Sequence, residues 1–221
     1  MTGVAGLASS GQGRAEQARA ARARPRRRIP TAVLLLYALC LGGGLGIGSV
    51  LWILDGDYPF GRVRVGPWTA WPASGSPDAD PYMRAIVAKR GDLPLGLGEG
   101  LALLAATDGA GEPLEARCRY RLDVATPTAR AWTLSLYDEA GRPLRSERGW
   151  SALTSSDVVR DRDGRAAIAL SREAVPGNWL RLPDGGRVGL VLRLYDTPVA
   201  TGSAGLDPRS FPSIQRLGCD G

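Results

Sequence analysis

The chain has 221 residues, a formal net charge of +6, no histidine and a single lysine, Lys89. Its length suits one globular domain with a short extension. The lack of histidine excludes Ser-His-Asp and Cys-His relays and the common zinc ligand sets, and it removes the side chain best suited to proton transfer near neutral pH.

The basic charge of the chain lies at its N-terminus. Residues 1–30 contain seven arginines and one glutamate, whereas the rest of the chain has 21 basic and 21 acidic residues. The segment is rich in Ala, Gly, Ser and Arg and has no apolar stripe that could join a core, so we expect a disordered tail. No aromatic residue stands among the arginines to stack on bases, so we predict no nucleic-acid partner.

Residues 31–54, TAVLLLYALCLGGGLGIGSVLWIL, form an apolar run without a charge. A helix of this length spans about 36 Å, and the hydrocarbon core of a bilayer is about 30 Å thick. The run is longer than the roughly 7–15 apolar residues of a signal peptide. We therefore predict an uncleaved transmembrane helix that binds membrane lipid.

The charge distribution around this helix predicts its orientation. Positive flanks remain in the cytoplasm, so we expect residues 1–30 there and residues 55–221 in the periplasm, with the helix in a bacterial inner membrane. Gly44 and Gly48 match the small-xxx-small pattern that lets two helices approach closely, which predicts a homodimer. The alternative is that glycine is simply frequent in membrane helices.

The three cysteines divide between two environments. Cys40 lies in the predicted helix, whereas Cys118 and Cys219 lie in the part that we expect to be exported. Two cysteines in an oxidising compartment indicate a disulfide. This one would close a loop of about 100 residues, for which chain entropy gives roughly 4.7 kcal/mol as an upper figure. Two unpaired thiols are the alternative.

The segment that follows the apolar run, residues 55–80, contains four prolines and is predicted to be an extended linker. Its aromatic residues could form an interfacial belt or pack onto the domain; they are Tyr58, Phe60, Trp68 and Trp71.

A short soluble helix is predicted after the linker. Asp80 suits the N-cap, Pro81 the first helical position and Gly91 a left-handed stop. Its apolar face would consist of Tyr82, Ile86 and Val87.

From residue 100 onward the sequence shows short strands between Gly and Asp turns. The clearest are residues 101–107, 118–124, 131–138, 165–170 and 187–196, whereas residues 149–160 are ambiguous and 176–180 lead into a loop. This pattern predicts a mainly β domain, an antiparallel β-sandwich or jelly roll over residues 81–205, with residues 206–221 as a C-terminal tail.

Three motifs carry a resemblance to a known family. WTLSLYD at 132–138, PGNWL at 176–180 and VLRLYD at 191–196 resemble the bacterial domain of unknown function 1214, over roughly residues 60–200. The segment DPYMRAIVAKRGDLPLG resembles the helix and loop that precede the strands in its short, membrane-anchored form. Arg181 departs from the family, where a proline is usual. The resemblance implies a β-rich domain and an envelope setting, and it implies no activity, cofactor or catalytic residue.

Several residues remain candidates for a binding site. Asp138 and Asp196 end two similar L-x-L-Y-D strands and could meet at one rim, where paired carboxylates would serve glycoside hydrolysis or bind a cation. Ordinary turns are the more common role of such aspartates. The other candidates are Arg193 and Tyr195, which could hold an anionic ligand, and Asn178 and Trp179, which could form a corner of the site or a turn beside the core.

The sequence is consistent with three functions. The first, which we favour, is a membrane-tethered binding module of the cell envelope without catalysis, acting on an unidentified ligand or partner. The second is an envelope hydrolase or carbohydrate-active enzyme that uses carboxylates, and the third is a scaffold that dimerises through its anchor. We predict no cofactor, no metal site and no catalytic residue.

Overall fold

The computed structural model describes residues 29–55, 58–96, 98–124, 129–145, 150–201 and 207–220. The tail predicted to be disordered lies, up to residue 28, outside the described residues. The chain divides into two compact units, Met1–Trp52 and Ile53–Gly221.

The apolar run forms one long helix, α1, Thr31–Asp55. Its stretch Thr31–Leu54 is long and apolar enough to cross a membrane, with a mean hydropathy of 2.0. The side chains of this stretch are exposed over most of its length, and Trp52 near its end is 79% exposed. An apolar surface of this kind is the one that lipid can cover.

The second helix, α2, is Pro81–Arg90, and its ends are those that the sequence predicts. The Asp80 carboxylate accepts hydrogen bonds from the backbone N–H groups of Tyr82 and Met83, and Gly91 stops the helix at a φ of +66°. The predicted apolar face is partly wrong, because Met83 and Ile86 are buried whereas Tyr82 is 41% exposed.

Within the described residues, ten strands form two sheets. They are β1 Val63–Val65, β2 Trp68–Ala70, β3 Gly100–Ala105, β4 Cys118–Val124, β5 Ala131–Asp138, β6 Ala152–Thr154, β7 Ala166–Ser171, β8 Asn178–Arg181, β9 Val188–Tyr195 and β10 Ser213–Cys219. The six-stranded sheet has the order β1-β2-β3-β9-β5-β6 and is antiparallel throughout. The four-stranded sheet has the order β10-β4-β7-β8.

One hydrophobic core joins the two sheets. Alternate residues of β4 and β5 are buried, among them Tyr120, Leu122, Leu134 and Leu136. Because side chains alternate across a strand, this period of two assigns one face of each sheet to the core and leaves the other face outside. The mainly β fold class is therefore confirmed.

Four strands lie where the sequence predicts none. The β1–β2 hairpin lies within the predicted linker, β8 lies where residues 176–180 are expected to lead into a loop, and β10 lies within the predicted tail. Trp68 on β2 is fully buried, and its Nε1 donates a hydrogen bond to the Pro212 carbonyl at 2.7 Å. β1 and β2 have three residues each, which is too short to show a period in the sequence, and β10 pairs with β4, which is distant in the chain.

One strand pair is parallel, which the predicted antiparallel domain does not include. β8 runs parallel to β7, with Ile168 opposite Asn178 and Ser171 opposite Arg181. A parallel return normally needs a crossover of a dozen residues or more. Here residues 172–177 suffice because the paired stretch is only about 10 Å long at roughly 3.3 Å per residue.

Candidate functional site

The predicted disulfide is present. Cys118 and Cys219 face each other in the β4–β10 register, with an S–S distance of 2.01 Å and a sequence separation of 101. The bond joins the first residue of β4 to the last residue of β10. Cys40 on α1 is a free, exposed thiol.

An ion pair between a buried aspartate and a partly buried arginine also holds β10. Asp108 is 3% exposed, and its Oδ2 accepts a hydrogen bond from Arg216 Nε at 2.8 Å, while its Oδ1 accepts from the backbone N–H groups of Ala110 and Glu112. Arg216 Nη2 donates to the Pro113 carbonyl at 2.6 Å. Both oxygens of Asp108 are thus occupied by structural hydrogen bonds. The sequence indicates only the turn at Asp108, since its partner lies 108 positions away.

Asn178 and Trp179 form a structural corner of the four-stranded sheet. Asn178 Nδ2 donates to the carbonyls of Val159 and Ala167, and its Oδ1 accepts from the Val159 N–H at 2.7 Å. Trp179 Nε1 donates to both the carbonyl and the hydroxyl of Ser171. These bonds fix the short parallel strand β8 to its neighbours, and they occupy the polar atoms of both side chains.

The register separates Asp138 from Asp196. Asp138 pairs with Val188, whereas Tyr195, the residue before Asp196, pairs with Ala131. The two aspartates therefore lie at opposite ends of the β5–β9 pair, about 26 Å apart at roughly 3.3 Å per residue. The hypothesis that they meet at one rim is wrong. Neighbouring antiparallel strands run in opposite directions, so two L-x-L-Y-D motifs that end such strands lie at opposite ends of the strand pair.

Each of these aspartates has a local partner. Asp138 accepts hydrogen bonds from the backbone N–H and the guanidinium of Arg142, and the backbone bond is the larger cause that lowers the pKa of its carboxyl group. Asp196 is exposed at a φ of +50° and lies 3.8 Å from Arg130 Nε. Both are thus turn residues of the kind that aspartate commonly forms.

Arg193 and Tyr195 share the outer face of the six-stranded sheet with a residue that the sequence analysis missed, Tyr137. Arg193 Nη2 donates a hydrogen bond to the Tyr137 hydroxyl at 2.9 Å, and its guanidinium carbon lies 5.7 Å from the Tyr137 ring centre. Both side chains are half-buried. The motif YD at 137–138 drew attention to the aspartate, although the neighbouring tyrosine is the residue in contact with Arg193.

The Arg193 side chain extends along its strand. Arg193 pairs with Thr133, and Tyr137 lies four residues further along β5, about 13 Å away at roughly 3.3 Å per residue. To reach Tyr137, the side chain crosses the row that contains Ser135 and Val191. Val191 lies on the outer face and is nevertheless only 6% exposed, which this crossing explains.

The outer face is otherwise uncharged at its centre. Within the described strands β3, β5 and β9, Arg193 is the one charged side chain directed to this face, as the alternation of core residues shows. Its neighbours are small, hydroxylated or apolar residues: Ala102, Leu104, Thr133, Ser135, Thr154 and Tyr195. A single cation in such surroundings can orient an anionic group.

A depression of about 300 Å³ elsewhere on the domain contains compensating charges. It is lined by Glu115, Arg117, Glu139, Gly185, Gly186 and Arg187. The hydrogen bond from Arg117 lowers the pKa of Glu115 and outweighs the effect of burial. Glu139 lies 3.9 Å from Arg187. Because each carboxylate here has an arginine beside it, this depression is a weaker candidate for a ligand site than the outer face.

The remaining candidates are the glycines of α1 and metal ligands. At Gly44 and Gly48 an added Cβ would meet no atom within 4 Å, so the described chain leaves space beside both glycines. This space is compatible with a second helix, and dimerisation through α1 stays a prediction. Among the described residues there is no group of three or more Cys, Asp or Glu side chains that could hold a metal ion.

Comparison with known proteins identifies a family. Residues 99–199 match the sequence model of a family described as "Protein of unknown function (DUF1214)". This match confirms the family that the three motifs predict. No curated protein matches the chain.

Two solved structures are similar to this fold. The VPA0106 protein from Vibrio parahaemolyticus has a TM-score of 0.54 at 15% identity, and the match covers 86% of this chain and 46% of that one. An uncharacterized protein from Burkholderia cenocepacia has a TM-score of 0.39 at 19% identity, with 83% and 52% covered. The chain therefore spans about half the length of these proteins, and the first likeness shows the fold alone.

Proposed function

We propose that this chain, whose residues 99–199 belong to the DUF1214 family, is a membrane-tethered binding protein of the bacterial envelope without catalysis. Helix α1 anchors it in the inner membrane, the arginine-rich tail remains in the cytoplasm and the β domain lies in the periplasm. Charge asymmetry across the helix supports this orientation. The Cys118–Cys219 bond supports an oxidising compartment for the domain.

The binding function rests on the Arg193–Tyr137 pair. A guanidinium has five N–H groups, and one of them has an acceptor among the described residues, the Tyr137 hydroxyl. Tyr137 holds the guanidinium in place without neutralising it. The remaining donors can bind a carboxylate or phosphate, and the hydroxyl groups of Thr133 and Ser135 border the same face. The ligand class is therefore a polar molecule with an anionic group.

The separation of the carboxylates argues against the hydrolase hypothesis. Glycoside hydrolysis by paired carboxylates uses groups about 5–9.5 Å apart. Asp138 and Asp196 are separated by about 26 Å along the sheet, at roughly 3.3 Å per residue. The low pKa of Asp138 also makes it a poor proton donor, because general acids need a raised pKa.

Calorimetric titration of the full chain in lipid nanodiscs tests the binding site. The probes are glucuronate and inorganic phosphate, with glucose as the neutral control. We expect the anions to bind and Arg193→Gln to abolish binding, whereas Arg121→Gln, on the four-stranded sheet and paired with Asp123, leaves binding unchanged. Equal affinity of the two variants, or no binding by the unchanged chain, would overturn the assignment.

Reporter fusions at Gly221 test the location of the domain. Alkaline phosphatase folds only after export, so we expect activity from that fusion. A green fluorescent protein fusion that fluoresces in the cytoplasm, together with an inactive phosphatase fusion, would reject the proposed orientation.

A further inference from the structure

Helix α2 contributes its buried residues to a small apolar cluster that is separate from the main core. The cluster contains Tyr58, Ala79, Met83 and Ile86. Within the second unit, Ile53 and Leu54 are partly buried hydrophobic residues packed against it. They are also the last two apolar residues of the stretch that can cross a membrane. If that stretch is the anchor proposed above, the α2 cluster lies at the bilayer surface.

Two large apolar side chains beside this cluster are exposed. Phe60 is 66% exposed, and its ring centre lies 5.5 Å from that of the buried Tyr58. Leu93 is 92% exposed and stands two residues beyond Gly91, which ends α2. Scattered exposed apolar residues are normal on a soluble protein. These two, however, adjoin α2: Phe60 contacts Tyr58, which is hydrogen-bonded to the α2 cap Asp80, and Leu93 closely follows the C-terminal stop of α2.

Charge around the cluster favours an anionic surface. Residues 58–93 contain five basic side chains, Arg62, Arg64, Arg84, Lys89 and Arg90, and three acidic ones, Asp78, Asp80 and Asp92. The sequence after residue 30 is neutral as a whole, so this segment holds a local excess of positive charge. Asp80 is engaged as the cap of α2 and by the Tyr58 hydroxyl. Basic residues near a membrane bind anionic headgroups.

We propose that the α2 surface, defined as Phe60, Tyr82 and Leu93 with the neighbouring basic residues Arg62, Lys89 and Arg90, lies on the outer leaflet of the same membrane that α1 crosses. Phe60 and Leu93 enter the headgroup region, and the half-exposed Tyr82 lies at its edge, where aromatic side chains with one polar end are favoured. The β domain is therefore held at the membrane by two contacts, its anchor and this surface. A single flexible tether would not restrict its orientation, whereas two contacts do.

Spin-label depth measurements on the full chain in nanodiscs with anionic lipid test this proposal. Cys118 and Cys219 are bonded, so Cys40→Ser leaves no free thiol, and Leu93→Cys or Phe60→Cys then adds a single labelling site. Val159→Cys is the matched control. Val159 is 72% exposed, and its backbone is hydrogen-bonded to Asn178 on β8, the edge strand of the four-stranded sheet.

We expect labels at Leu93 and Phe60 to collide several-fold more often with lipid-soluble oxygen, relative to a water-soluble nickel chelate, than the label at Val159. Equal ratios at all three positions would overturn the proposal. Dipolar broadening between labels at Leu93 would assign the surface to a second copy of the chain and would also overturn it. A label at the native Cys40 distinguishes a failure of the α2 surface proposal from a failure of the membrane anchor. If the label at Cys40 collides mainly with the water-soluble chelate, then α1 does not cross the membrane and the anchor itself is wrong.

Discussion

Reduction of the Cys118–Cys219 bond gives the most direct test of how the C-terminal strand stabilises the domain. The bond closes a loop with a sequence separation of 101. In the chain-entropy model a loop of about 100 residues restricts the unfolded chain by about 4.7 kcal/mol. Residual structure in the unfolded state reduces this figure, so we expect a loss of about 4 kcal/mol in the free energy of unfolding.

The reduced protein should nevertheless remain folded. β10 keeps its ladder with β4, and Asp108 keeps its hydrogen bonds to Arg216 and the loop before β4. With a urea slope of about 2 kcal/mol per molar, a loss of about 4 kcal/mol lowers the urea midpoint by about 2 M.

Urea unfolding of the full chain in detergent micelles, followed by tryptophan fluorescence, provides the assay. Trp68 and Trp132 are buried and report on the domain. Reduction by a phosphine leaves both sulfur atoms in place, so it removes the cross-link without creating a cavity. The double variant Cys118→Ala with Cys219→Ala should lose slightly more, because Cys118 is only 1% exposed. A midpoint that moves by less than about 0.5 M after complete reduction would refute the chain-entropy reasoning.

Three further predictions concern other parts of the chain. Asp108→Ala should cost about 2 kcal/mol in urea unfolding because it removes a buried carboxylate that accepts hydrogen bonds from Arg216 and from two backbone N–H groups, whereas Asp123→Ala, from an exposed pair, should change little. Burial and the hydrogen bond to the α2 cap raise the pKa of Tyr58 to about 12, above its ordinary value of 10.0. The neutral phenol thus stabilises the fold below pH 10, and this stability is lost as pH rises through about 12. Tyr58→Phe has no titrating hydroxyl, so it should remove this part of the pH dependence of stability, as measured by circular dichroism. Gly44→Ile and Gly48→Ile should each reduce crosslinked dimer in membranes if α1 associates through its glycines, and an unchanged dimer yield would reject that interface.

Features that depend on neighbouring residues could be read from the sequence alone. The helix α2 begins after Asp80 and ends before Gly91 because a cap and a left-handed stop are properties of four or five consecutive residues. The alternation in β4 and β5 identified their buried faces for the same reason. The length and apolar character of α1, the cysteine pair and the family motifs also required no knowledge of which strands are neighbours.

Features that depend on pairing were decided by the tertiary structure. The strands β1 and β2 are too short for a local period to mark them, and β2 and β10 also pair with strands that are distant in the chain, β3 and β4. Asp138 and Asp196 end similar sequence motifs but do not come together. The strands β5 and β9 are antiparallel, so their C-terminal ends lie at opposite ends of the strand pair.

The candidate binding residues show the same division. The sequence indicated Arg193 and Tyr195 as residues that could hold an anionic ligand, and residues two apart on a strand share a side of the sheet. Only the pairing of β9 with β5 placed Tyr137, 56 positions away, under the guanidinium. Local sequence therefore determined what each element is, and the non-local register determined which side chains meet, because a one-residue change of register would move every side chain to the other face.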